Sequence, residues 1–189
     1  MNASSASTNQ ADVSGRAARI KLLLMDVDGV LTDGRLITIP APDGSMFETK
    51  AFDSQDGIAL QWLSWNGIAT GVISGRESPA TVERARQVKM TYVYQGHIEK
   101  IPILEEILAD AKVDRAQVAY IGDDLTDIVV MRRVGLAITP ANAQPQVKRA
   151  AHHVTSRPGG GGAVREVAEL LLRAQGFWPE ILKKYEAEE

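Results

Sequence analysis

Five short apolar runs, at residues 20–26, 68–73, 91–94, 117–121 and 135–138, alternate with segments that read as helices at 56–66, 79–89, 99–111, 125–133, 143–150 and 163–175. This alternation constrains the fold more than any other feature of the chain. It predicts an α/β fold, a doubly wound parallel sheet with helices on both faces. In such sheets ligands bind outside the carboxyl ends of the strands. The chain has 189 residues, 44% of them hydrophobic and 24% charged, which suits one globular domain with a full core.

One segment breaks the alternation. Residues 35–52, RLITIPAPDGSMFETKAF, read as a β-hairpin inserted into the domain, with two short strands flanking the turn-rich Pro40-Ala41-Pro42-Asp43-Gly44. A hairpin projecting from the sheet leaves its edges exposed unless something covers them. It is either packed against other subunits or a self-contained flap. Residues 1–17 read as a disordered, polar N-terminal tail, 18–176 as the single domain, and 177–189, FWPEILKKYEAEE, as a C-terminal tail. Phe177, Trp178, Ile181 and Leu182 suggest that this last piece packs on something. The run Pro158-Gly159-Gly160-Gly161-Gly162 is a bending loop, either a linker into the last helix or a loop that closes on a ligand.

Several function classes drop out on composition. A net charge of −3 without long runs of either sign gives no reason to expect a nucleic acid or an anionic membrane as partner. With no cysteine, disulfides, thiol catalysis and thiolate-ligated zinc are excluded. No apolar run is long enough to span a bilayer. The polar start lacks the basic and apolar regions of a signal peptide, so the expected location is the cytoplasm.

The chemistry gathers at the expected strand ends. Residues 26–34 read DVDGVLTDG directly after the first apolar run. Asp26 and Asp28, two residues apart, leave a strand in the same general direction. Two carboxylates that close repel each other unless they share a cation or a proton. Such a pair can hold Mg²⁺ while one carboxylate acts as a nucleophile and the other as an acid and base. Ser74-Gly75-Arg76 ends the run at 68–73, where a hydroxyl and backbone N–H groups suit phosphoryl oxygens. Ser78-Pro79 then reads as a helix cap and first helical residue. Lys100 opens the helix after 91–94, and Gly122-Asp123-Asp124-Leu125-Thr126-Asp127 follows 117–121. Taken singly, each has a bland reading: an acidic turn, a structural serine, a solvated lysine, a helix cap.

Together and in this order, DVDGVLTDG, SGR, Lys100 and GDDLTD resemble the four motifs of the haloacid-dehalogenase-like (HAD) phosphatases, over residues from about 18 to 175. The resemblance implies a Rossmann-like sheet and Mg²⁺ as cofactor. It makes Asp26 the nucleophile and Asp28 the acid and base, with Ser74 and Lys100 completing the catalytic set. Asp26, Asp28 (through its backbone carbonyl) and Asp123 would hold the metal, with Asp127 acting through water or through bonds to the ligands. Asp124 would either assist or cap the following helix. The spaces after the first and second motifs are too short for a cap domain, and capless members of this kind commonly build the missing wall from neighbouring subunits.

The details are similar to the family of 3-deoxy-D-manno-octulosonate (KDO) 8-phosphate phosphatases, homotetramers of lipopolysaccharide precursor synthesis. The matching strings include YQG-x-x-x-K at 94–100 and GGGGAVREVAELLLRAQG at 159–176. That resemblance implies a sugar-acid phosphate substrate touched by Asp53, Ser54, Gln55, Asp56, Gly57, Arg76, Arg84 and Lys100, since a guanidinium grips a carboxylate or phosphate with two bonds. This chain has Gln55 and Gln61 where several members have arginine, and Gly161 where a basic residue is common. A buried charge-assisted bond is worth about 1.5–3 kcal/mol, so these changes bear on specificity. A phosphatase for another sugar acid, such as a nine-carbon 9-phosphate, is the second expectation, and a non-catalytic oligomeric scaffold the third.

Overall fold

The computed structural model describes residues 12–187. Six strands, β1 (Leu22–Met25), β4 (Ala69–Ile73), β5 (Tyr92–Tyr94), β6 (Val118–Ile121), β7 (Leu136–Thr139) and β8 (His153–Val154), form one sheet in the order β5-β4-β1-β6-β7-β8. Every pairing is parallel. The predicted α/β sheet is thus present, with β1 at its centre. The two-residue β8 is an addition too short to leave a sequence signal.

The sequence of β1, Leu-Leu-Leu-Met, is buried throughout. Alternate side chains go to opposite faces. Leu23 and Met25 pack in the layer with α1 (residues 12–17), α2 (Ser54–Trp65), α7 (Ala163–Ala174) and α8 (Trp178–Lys184). Leu22 and Leu24 pack in the layer with α4 (Lys100–Ala111), α5 (Ile128–Met131) and α6 (Pro145–Ala150). Helix α3 (Pro79–Gln87) follows β4.

Both termini correct the expected tails. Residues 12–17 are helical, and Val13 and Ala17, one helical turn apart, are buried in the core. Arg16 donates to the carbonyl of Gly135 at 2.8 Å. A two-residue apolar stripe among serines and alanines is too small to stand out in composition. The rest of the expected tail, residues 1–11, lies outside the described residues. At the other end, α8 belongs to the domain. Trp178 packs edge-on to Trp62 of α2, centroids 5.8 Å apart, and Trp62 Nε1 donates to the Tyr185 hydroxyl at 3.2 Å. The Arg165 guanidinium lies 4.0 Å from the Trp62 ring centre.

The hairpin is as expected. β2 (Ile37–Pro40) and β3 (Met46–Thr49) pair antiparallel and form a sheet of their own. Ile37, Ile39 and Phe47 share one face and are all exposed, while Glu48 is on the other. The expected helix at 125–133 is divided into a 3₁₀ turn, Leu125–Asp127, and α5. Asp124 and Asp127 bond back across the turn and tighten it. No helix among the described residues is long and apolar enough to cross a membrane.

Candidate active site

The carboxyl ends of β1, β4 and β6 surround a cavity of about 190 Å³, lined by Asp26, Asp28, Ser74, Gly75, Arg76, Ile98, Lys100, Asp123, Asp124 and Thr126. All four motifs therefore meet at one edge of the sheet, as parallel strands with like-facing ends require.

Asp26 is the first residue beyond β1. Its N–H still donates to the Ile121 carbonyl of β6, at 2.9 Å, so the sheet fixes its backbone. Its Oδ1 accepts from the Val27 N–H at 2.7 Å, and its Oδ2 lies 3.1 Å from Lys100 Nζ. Gly29, at φ +89°, then turns the chain beneath Asp123, where a Cβ would come within 2.1 Å of Asp123 Oδ2. The glycine run packs on this same turn. A Cβ on Gly159 would meet the Gly29 carbonyl oxygen at 1.8 Å, and the Gly160 N–H donates to the Val30 carbonyl at 3.0 Å. The run is therefore fitted against the first aspartate loop of its own chain. The second half of the run, Gly161 and Gly162, borders a second cavity with Gln55, Arg157 and Arg165.

Lys100 opens α4 but is only 2% exposed. Its ammonium contacts Asp127 Oδ1 at 2.8 Å and Asp26 Oδ2 at 3.1 Å, and donates to the Tyr120 hydroxyl at 3.1 Å. Burial disfavours the ammonium, but Asp26 and Asp127 more than offset this, and its pKa is raised. Tyr120 itself donates to Asp127 Oδ1 at 2.7 Å. Asp127 Oδ2 accepts the N–H groups of Asp123 and Asp124. Both oxygens of Asp127 are thus occupied, and the residue holds Lys100 and the 122–124 turn in place.

The charge balance leaves room for a cation. Burial pushes Asp26 up to about 6, Lys100 opposing and Asp127 adding to the rise. Burial, with Asp127 and Asp26 nearby, pushes Asp123 up to about 7. Carboxylate oxygens of Asp26, Asp123 and Asp127 lie within 4.8 Å of one another. Asp123 Oδ1 is buried and has no hydrogen-bond partner. With Asp127 spoken for, Asp26 and Asp123 are the side chains left to meet a hard divalent ion, whose charge would reverse both shifts.

Asp28 also borders the cavity, and its nearest contact comes from a residue that the sequence did not single out. Lys50, just past β3, brings Nζ to 2.5 Å from Asp28 Oδ1 and 3.3 Å from Glu48 Oε1. Arg76 pairs with Glu48 and approaches Asp28 Oδ2 at 4.0 Å. Nothing in the local pattern of the hairpin marks Lys50 as buried. Its burial follows from where the hairpin folds back.

Of the expected substrate contacts, Arg76 and Lys100 line the cavity and the others do not. Asp53 caps α2, accepting from the N–H groups of Gln55 and Asp56. Asp56 is buried and accepts the Arg165 N–H at 2.7 Å, which ties α2 to the start of α7. Ser54 and Gln55 are exposed. Gly57 is pressed against Arg84, whose guanidinium donates to the Asp53 carbonyl at 2.8 Å and lies over Phe52. Arg84 thus braces the 53–57 loop. Asp124 caps the 3₁₀ turn through the Leu125 N–H and also lines the cavity. Ser78 precedes α3 as expected, but its hydroxyl makes no cap, and its N–H donates to Gln95 Oε1.

The fold and these strand ends define a capless phosphatase of the haloacid-dehalogenase type, and comparison with known proteins agrees. The family described as haloacid dehalogenase-like hydrolase matches residues 73–166. A 3-deoxy-D-manno-octulosonate 8-phosphate phosphatase of Yersinia pestis is 43% identical over 164 residues, 87% of this chain and 86% of that protein. The crystal structure of a probable YrbI family phosphatase from Pseudomonas syringae superposes with a TM-score of 0.88 at 41% identity, covering 95% of this chain and 99% of that one. The 3-deoxy-D-manno-octulosonate 8-phosphate phosphatase of Moraxella catarrhalis, solved with magnesium, phosphate and KDO, gives 0.86 at 37% identity, with 92% and 98% covered. The chain belongs to the family of 3-deoxy-D-manno-octulosonate 8-phosphate phosphatases, within the haloacid dehalogenase-like hydrolases.

Proposed function

We propose that this chain is a Mg²⁺-dependent phosphatase that converts KDO 8-phosphate to KDO and phosphate, a step in lipopolysaccharide precursor supply. The observation that carries the reading is Asp26, held at the floor of the cavity by Lys100, with Asp28 beside it and the unpartnered Asp123 oxygen next to them. Asp26, Asp123 and the Asp28 backbone carbonyl would hold Mg²⁺, which would supply charge to offset an incoming phosphate.

Asp26 attacks phosphorus, forming an aspartyl phosphate as the bond to the sugar oxygen breaks. Asp28 gives its proton to that departing oxygen. As a carboxylate it then takes a proton from the water that attacks the aspartyl phosphate, which releases phosphate and frees Asp26. Lys100 keeps Asp26 aimed and shares the charge of the phosphoryl group. Ser74, 2% exposed at the end of β4, offers its hydroxyl to a phosphoryl oxygen. Arg76, at the mouth, is placed to meet the sugar acid.

The test is phosphate release with Mg²⁺ from KDO 8-phosphate, nine-carbon sugar-acid 9-phosphates, neutral hexose phosphates and a generic aryl phosphate. A strong preference for KDO 8-phosphate is expected. Preference for a nine-carbon acid would instead assign Gln55, Gln61 and Gly161 a different specificity on the same chemistry. No turnover of any substrate, under varied metal, would return the chain to a scaffold.

The assembly is a homotetramer held through the hairpins. Among the described residues the strands β2 and β3 pair only with each other, and a lone two-stranded hairpin is marginal in water. Its exposed Ile37, Ile39 and Phe47 share one face and form an apolar surface suited to burial between copies. Light scattering should give four chains per particle, and an active monomer would overturn this.

A further inference from the structure

We propose that Lys50 is a positioning residue for Asp28, holding one carboxylate oxygen so that the other is left to carry the proton of the reaction. The inference rests on the reading of Asp28 as acid and base given above.

The geometry is unusual for a lysine on a hairpin. Such a side chain normally keeps its ammonium in water, yet only 3% of the Lys50 side chain is exposed. Taking an ammonium out of water is costly unless carboxylates surround it closely. Two do, and the nearer is Asp28, with Oδ1 at 2.5 Å against 3.3 Å to Glu48 Oε1. Glu48 has its own strong partner in Arg76. A lysine serving only to dock the hairpin would therefore duplicate the Glu48–Arg76 pair. What Lys50 adds is a fixed direction for Asp28. Oδ1 is occupied, while Oδ2 is buried, without a hydrogen-bond partner, and 4.0 Å from Arg76 Nε. A carboxylate anchored by one oxygen presents the other without rotating, and proton transfer depends on such alignment. Lys50 touches Asp28 and not the reacting atoms, so its effect passes through Asp28.

The discriminating property is the leaving group. A sugar alkoxide is a poor leaving group and needs the proton of Asp28, whereas p-nitrophenolate is a stable anion and leaves without one. The value of kcat/KM covers the steps through departure of the leaving group. Lys50→Gln should lower kcat/KM for KDO 8-phosphate at least about 10-fold and for p-nitrophenyl phosphate by less than about 3-fold, within the range that general acid catalysis contributes. Glu48→Gln removes the Arg76 tie but keeps the Lys50–Asp28 contact, so it should change both substrates by the same factor. An equal loss on both substrates with Lys50→Gln would make Lys50 a docking residue and overturn the proposal, with the phosphatase reading intact. No loss on either would overturn it as well. Absence of turnover by the unaltered protein would overturn both. If Lys50→Gln does not fold, as judged by circular dichroism, Lys50→Arg carries the same comparison: it keeps the charge but displaces the donor, and should show the same inequality between substrates in smaller degree.

Discussion

Asp26→Asn is expected to cut phosphate release by at least about 10⁴-fold while the protein keeps its fold. An amide oxygen is a poor nucleophile towards phosphorus, and no other carboxylate can take its place. Asp127 is occupied by four donors, Asp123 belongs to a different strand end, and Asp28 is tied to Lys50. The fold has no comparable stake in the charge. Burial raises the pKa of Asp26, so the folded state resists rather than favours its ionisation. Lys100 loses one of its two carboxylates but keeps Asp127 at 2.8 Å, so the variant should stay folded and melt close to the parent. Its amide can still accept from the Val27 N–H, so the backbone at the end of β1 stays supported. Phosphate release from KDO 8-phosphate and a thermal melt, measured side by side, check both halves. Activity above a trace would remove Asp26 from its role.

Lys100→Met should do the opposite to stability. The ammonium is the only cation within 3.1 Å of both Asp26 and Asp127 among the described contacts. Methionine fills the volume but leaves two carboxylates and the Tyr120 hydroxyl facing one another in the interior. Breaking a buried ion pair from one side costs about 3–5 kcal/mol. For a domain of this size that is a fall in Tm of about 10 °C. The sign with pH follows from the raised pKa of Asp26. Lys100 holds the Asp26 pKa down to about 6, so without it Asp26 takes up its proton at a higher pH, and the deficit should shrink as pH falls towards 6. Added Mg²⁺ should restore part of the lost Tm by supplying positive charge between the same carboxylates. Turnover should fall by at least about 10²-fold. A melt unchanged from the parent at neutral pH would show that Lys100 balances nothing.

Much of this was legible in the sequence because it depends on backbone direction. Parallel strands end on one edge, so residues just past 25, 73 and 121 had to meet, whatever the packing between them. Asp26, Asp28, Ser74 and Asp123 follow from that alone, and Lys100 from the helix after β5. The hairpin was legible from its turn. Residues whose position depends on how separate pieces pack were not. Glu48 sits in a short strand with no clear polar and apolar alternation and Lys50 just past it, and only the fold-back of the hairpin brings Lys50 to Asp28. Tyr120 looks like any strand tyrosine until its hydroxyl is found on Asp127. Arg84 carries the expected charge but faces the 53–57 loop rather than the cavity, because Phe52 and the Asp53 carbonyl take its guanidinium. Val13 and Ala17 show the same limit, their burial being decided by the groove they meet.

The central place of β1 also governs when a newly made chain can first have this site. β1 is synthesised first, but Leu22 must wait for Ala69 and then for Val118 before both its edges are paired. Its aspartate turn acquires its wall only when Gly159 and Gly160 arrive. Closing loops of that length is entropically costly and slow compared with making a helix. Until residues 69–72 are made, then, the apolar strand is present with neither neighbour, and a chain halted after β6 but before the glycine run has both neighbours of β1 yet nothing packed against its aspartate turn.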